Sequence, residues 1–183
     1  TEFTTTFTDS INQKDKSLVR NIKEYLAIRC GMQEVYTYPW MNDVFVNAVL
    51  QSTDGVLKLS TPPAPDMSCI RSSLLPNLCE AVAKNERYFN DFSIFEEAQV
   101  FFDKNYTNAY DETESLPEQR RHIGAAFASS VKDIGMLFRE AKGVLEYMPR
   151  YTHMEAYEFK KEEKPVWADN VVWLNTVSYT HLT

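Results

Sequence analysis

The amino-acid sequence predicts an α+β fold: a mostly antiparallel sheet flanked by helices. Three observations predict it. Three segments place apolar residues at helical spacing, and six shorter segments read as strands. Successive strands are joined by polar loops rather than by regular crossover helices, which disfavours a doubly wound parallel fold. A chain of 183 residues that is 44% hydrophobic and 13% aromatic can bury one substantial core.

The elements follow in order. TEFTTTFTD, residues 1–9, is rich in threonine, with Phe3 and Phe7 as its only large apolar side chains, and reads as an extended arm or linker. The remaining 10–183 reads as one core module. Asp9 or Ser10 can cap a helix over about 10–30, whose stripe is Ile11, Leu18, Ile22, Tyr25, Leu26 and Cys30. Gly31 suits the left-handed position that ends it. QEVYTYPW alternates and is a strand stopped near Pro39, NDVFVNAVL a short helix, VLKLST a short strand, and TPPAPD a turn. SSLLPNLCEAVAKNERYF is a long helix that tolerates Pro76 in its first turn, where the missing N–H would have had no partner.

DFSIFEEAQVFF has Phe92, Ile94, Ala98, Val100 and Phe102 on one parity and Phe95 and Phe101 on the other, the pattern of a central strand buried on both faces. DKNYTNAYDETESLPEQ is polar and acidic and reads as a loop. RRHIGAAFAS is a strand. VKDIGMLFREAKGVLEYM is a helix with Ile134, Leu137, Phe138, Ala141, Val144 and Leu145 on its stripe. MEAYEF and VVWLNTV are strands around the charged turn KKEEKP. The start at Thr1 and the ending SYTHLT directly after VVWLNTV lead us to expect a piece of a longer protein, with the module truncated at its C-terminal end.

A net charge of −7 and a pI near 5.0 disfavour a surface built mainly for nucleic acid, which needs a basic footprint. Cys30, Cys69 and Cys79 are odd in number and widely spaced, which points to free thiols in a reducing compartment rather than a disulfide framework or a zinc site. No apolar run approaches the roughly 20 residues of a membrane helix, so no membrane partner is expected. Glu96 and Glu97 are adjacent on a strand, point to opposite faces, and cannot converge as an acid/base pair. Arg120, Arg121 and His122 read as a solvated strand edge. His153 and His181 are isolated, Lys142-Gly143 lacks the context of a phosphate loop, and Asp111, Glu112 and Glu114 read as a solvated loop. The residues themselves indicate no catalytic, metal or cofactor site.

The run from Val19 to Phe102 resembles the beta subunit of phenylalanyl-tRNA synthetase. The matching pieces are a helix ending in Gly31, then QEVYTYPW, MSCIRSSLLPNLCEAVAKN and SIFEEAQVF; the pattern continues through EQRRHIGAAF and FREAKGVLE. Glu97-Ala98 departs from the family's aliphatic-glycine pair. The resemblance implies a class II aminoacyl-tRNA synthetase-like module that has lost its chemistry and packs on the catalytic alpha subunit in the cytoplasm. The alpha subunit would charge tRNA with phenylalanine using ATP and Mg2+. Consistent with lost chemistry, Asp91 to Phe102 contains no Lys or Arg to hold an ATP α-phosphate, and the glycines at 31, 55, 124, 135 and 143 form no G-x-G-x-G motif.

The resemblance further implies a partner interface formed by Leu18, Ile22, Tyr25 and Leu26 of the first helix with Leu74, Leu75, Leu78 and Val82 of the second. The two helices would pack side by side, with Arg71 at the rim. Alternatives are an independent ligand-binding or enzymatic domain on a class II-like sheet, and a free-standing homodimer using the same helical face.

Overall fold

The first helix, α1 (Lys14–Glu24), widens at its end into a π turn, Tyr25–Arg29. Within it the Cys30 N–H donates to the Tyr25 carbonyl at 3.1 Å. Gly31 then takes φ +67°, the left-handed conformation expected of it. The computed structural model describes residues 14–49, 55–108, 111–161 and 174–177, and the side chains of all but 104–108, 111–115 and 174–177 of these. The expected arm, the helix start at 10–13 and His181 lie outside the described residues.

Strand β1 is short (Gln33–Glu34), and the chain then runs on without regular pairing to β2 (Trp40–Met41). Asn42 accepts from the Val44 N–H at 2.9 Å and opens α2 (Asp43–Val49). The expected strand VLKLST is reduced to a single bridge, Lys58 to Cys69, and β3 (Cys69–Ile70) pairs antiparallel with β2. Helix α3 (Leu75–Asn85) carries Pro76 in its first turn as expected, but is shorter than the sequence suggested.

The long strands β4 (Asp91–Asn108) and β5 (Asp111–Ser129) form an antiparallel hairpin. This corrects the expected loop over 103–119, most of which is paired backbone. Its polar composition hid the pairing, and two register shifts, between Phe102 and Asn105 and between Thr107 and Asn108, interrupt the alternation. Helix α4 (Ile134–Thr152) is capped by Asp133, whose carboxylate accepts from the Met136 N–H at 2.8 Å, and ends at His153 with φ 57°. Strands β6 (Glu158–Lys161) and β7 (Leu174–Val177) pair antiparallel; β6 is shifted from the expected MEAYEF, leaving 154–157 outside the strand and taking in Lys160 and Lys161 of the expected turn.

The main sheet has the order β1-β4-β5, with β1 parallel to β4 and β4 antiparallel to β5. Strand parity divides the core. Phe95, Ile123 and Phe127 face Ile22, Tyr25, Leu26, Met32 and Met148, so α1 and α4 cover one face. Ile94, Val100 and Ala126 face Leu74 and Leu78, so α3 covers the other. The expectation that α1 and α3 pack side by side is therefore wrong; the sheet lies between them. A helical stripe shows that a helix is buried, not which face of a sheet buries it. Gly124 permits the close approach of α3: a Cβ there would lie 2.8 Å from Leu78 Cδ1 and 3.2 Å from Leu74 Cβ. Burying Leu74 and Leu78 contributes roughly 1.5–3 kcal/mol each.

Candidate functional site

Three chain segments converge on the face of β4 that α3 covers. Alternation along β4 directs Glu96 to that face, Thr37 comes from the stretch after β1, and Arg71 follows β3. Glu96 is 1% exposed and Arg71 7%. Glu96 Oε1 accepts from the Thr37 N–H at 2.9 Å and from Arg71 Nη1 at 3.1 Å, and Oε2 accepts from the Thr37 hydroxyl at 2.7 Å. Arg71 Nε donates to the Gln99 carbonyl at 2.7 Å.

The backbone of Arg71 works along the same edge. Its N–H donates to the Pro39 carbonyl at 2.8 Å, and its carbonyl accepts from the Phe101 N–H at 2.9 Å. Beyond the two residues paired with β1, Arg71 thus satisfies polar groups that β4 would otherwise leave open at that edge. The carboxylate has a cation and two further donors, and the guanidinium donates to protein acceptors through Nε and Nη1.

Arg71 was expected at the rim of an interface and is instead buried in this ion pair. Of the other residues expected to meet a partner, Ile22, Tyr25 and Leu26 are buried in the core beneath α1, and Leu74 and Leu78 in the core beneath α3. Leu18, Leu75 and Val82 are half-buried. Sequence reasoning missed Thr37 altogether; a threonine in a tyrosine-rich strand carries no signal of a buried partner.

Glu97 faces the other way and pairs with Arg121 at 3.1 Å. It lines a groove of about 470 Å³ beside α1 in which Lys23 meets Glu34 at 2.5 Å and Arg20 meets Glu24 at 2.9 Å. The hydrogen bond to Glu34 raises the Lys23 pKa above its ordinary value. Arg120 pairs with Glu118 at 2.6 Å and lies over the Phe102 ring. Burial, with the Arg120 charge nearby, holds His122 below the ordinary imidazole range. The three cysteines are free, and burial pushes the Cys79 thiol up. Lys142 is an ordinary helix residue, paired with Glu146. Among the described residues no group of three His, Cys, Asp or Glu side chains could hold a metal ion, and no helix is long and apolar enough to cross a membrane.

Comparison with known proteins places this geometry in context. Residues 3–171 match the family model described as the phenylalanyl tRNA synthetase beta chain CLM domain. The phenylalanine–tRNA ligase beta subunit of Brucella abortus is 32% identical over 114 residues, 62% of this chain and 13% of that protein. That of Carboxydothermus hydrogenoformans is 34% identical over 104 residues, 54% of this chain and 12% of that protein. The chain thus spans about an eighth of the length of these relatives. Among solved structures, PylSc, a pyrrolysyl-tRNA synthetase of Desulfitobacterium hafniense, superposes with a TM-score of 0.66 over 89% of this chain and 54% of that one. At 13% identity this likeness concerns the fold alone, a class II synthetase-like α+β architecture.

Proposed function

The chain belongs to the phenylalanyl-tRNA synthetase beta chain family, and from that premise we propose that it is a non-catalytic scaffold module packing on the catalytic alpha subunit of a phenylalanine–tRNA ligase. In this reading the alpha subunit charges tRNA with phenylalanine using ATP and Mg2+ in the cytoplasm, and the present module contributes shape rather than chemistry. The observation that carries the reading is the Arg71–Glu96 tie. Transfer of an adenylyl group requires fixed, available cations around the phosphates. From Asp91 to Phe102 β4 has none, and the two guanidiniums that reach it are both paired with its carboxylates, Arg71 with the buried Glu96 and Arg121 with Glu97, each at 3.1 Å. These residues do not fit a nucleoside triphosphate, and no catalytic step is assigned to them.

The apolar stripes are largely taken up by the chain's own core, so a partner on these helices would meet the half-buried Leu18, Leu75 and Val82 and the exposed side of α1. The test is to mix the purified chain with the phenylalanyl-tRNA synthetase alpha subunit of the same organism and measure mass by size-exclusion light scattering. A stoichiometric complex is expected; separate elution of the two would refute the scaffold reading. Calorimetric titration of the chain alone with ATP should give no binding heat. Saturable ATP binding would favour a ligand-binding domain instead.

A further inference from the structure

Helices α1 and α4 end near one another, and their last turns carry a surface that the other described residues leave open. The π turn builds one side of it. Tyr25 and Leu26 stay in the core, while Ile28 and Arg29 turn outward, Ile28 being 74% exposed. On α4, Tyr147 and Tyr151 are one turn apart and share a face, 61% and 43% exposed. The Arg29 guanidinium lies over the Tyr151 ring, 5.0 Å from its centroid, and that of Arg150 over Tyr147 at 5.9 Å. Tyr151 leans on Tyr25 with ring centroids 5.3 Å apart, and the Tyr25 hydroxyl donates to the Val144 carbonyl at 2.9 Å. Two arginines thus lie over aromatic rings, one of which, Tyr151, leans on the core residue Tyr25. Among the described residues neither has a carboxylate within ion-pair distance, nor have Arg87 and Arg139, whereas Arg20, Arg71, Arg120 and Arg121 each have one.

We propose that this surface docks a protein segment presenting one carboxylate to Arg29 and a second to Arg150. The charge pattern selects that partner. Two uncompensated guanidinium forks, held in place, favour bidentate carboxylates. Tyr147 and Tyr151 lie one turn apart on α4, so a helical segment with carboxylates one turn apart is the matching probe. Exposed tyrosine and arginine are the residue types that dominate protein interfaces. A polyanion such as RNA needs a wider basic footprint than two arginines on a chain of net charge −7. The inference does not depend on the scaffold reading.

The test is fluorescence anisotropy with the whole chain and three probes. These are a labelled helical peptide with two glutamates one turn apart flanking a leucine, the same peptide with both glutamates replaced by glutamine, and a single-stranded RNA of about 20 nucleotides. The glutamate peptide should bind at least about tenfold tighter than the glutamine peptide. The Arg29→Gln/Arg150→Gln variant should lose the same factor, as should Tyr147→Ala should the double variant fail to melt like the parent. The proposal is overturned by equal binding of the two peptides, by full affinity in the variants, by tighter binding of the RNA, or by no binding of the glutamate peptide up to about 0.2 mM.

Discussion

Replacing Arg71 with alanine separates a buried tie from a rim residue more sharply than any other change. The side chain is 9% exposed, its Nη1 lies 3.1 Å from Glu96 Oε1, and its Nε donates to the Gln99 carbonyl at 2.7 Å. Arg71→Ala leaves Glu96 at 1% exposure with only the Thr37 donors. Removing one partner of a buried ion pair costs about 3–5 kcal/mol, because the remaining charge is stranded. That is a large share of the roughly 5–15 kcal/mol that holds a domain folded. Glu96→Gln is milder, about 2–3 kcal/mol, since Arg71 keeps its carbonyl acceptors. The double variant Arg71→Ala/Glu96→Gln strands no charge and should cost less than the sum of the singles by at least about 1 kcal/mol. Urea unfolding followed by far-UV circular dichroism reads all three. An exposed arginine would change stability by no more than about 0.5 kcal/mol. A loss below about 1 kcal/mol for Arg71→Ala, or additivity in the double variant, would refute the buried tie.

Two further outcomes follow from the same packing. Gly124→Val should destabilise by about 1–3 kcal/mol in the same urea assay, because its Cβ meets Leu78 and Leu74 at 2.8 and 3.2 Å, whereas the neighbouring exposed Ala125→Val should be near neutral; equal effects would contradict the α3 placement. His122 titrates below its ordinary value of 6.5 in the folded chain. Its contribution to stability is therefore complete above pH 6.5 and is lost as the pH falls towards the folded pKa. Melting temperature should drop between pH 7 and 5, and His122→Gln should flatten that part of the profile; an unchanged slope would show that His122 is not the group responsible.

Much of the architecture was legible because burial on a strand writes itself into parity. The split of β4 into Phe92, Ile94, Ala98, Val100 and Phe102 against Phe95 and Phe101 announced a strand covered on both sides, and both faces are covered, the second at Phe95. Pro76 and Gly31 stood where their backbone constraints demand, and Asp133 capped the third long helix with a contact no periodicity reveals. The outer part of the β4–β5 hairpin was hidden for the opposite reason. Its polar composition left no apolar alternation to see, and two register shifts broke what pattern remained.

The candidate site was less legible because its partners are far apart along the chain. Arg71 and Glu96 are separated by 25 residues, and each alone looks like an ordinary surface charge. Only the fold brings the stretch after β3 against the edge of β4, where the Arg71 backbone completes pairing that the short β1 leaves undone. The charge is then fixed by geometry: a carboxylate at 1% exposure on a central strand needs a cation, and Arg71 supplies it at the cost of reaching anything else. The absence of Lys and Arg from Asp91 to Phe102 and the burial of Arg71 are thus two aspects of one arrangement. In the scaffold reading proposed above, Arg71 holds the sheet edge closed through Glu96 and the Gln99 carbonyl.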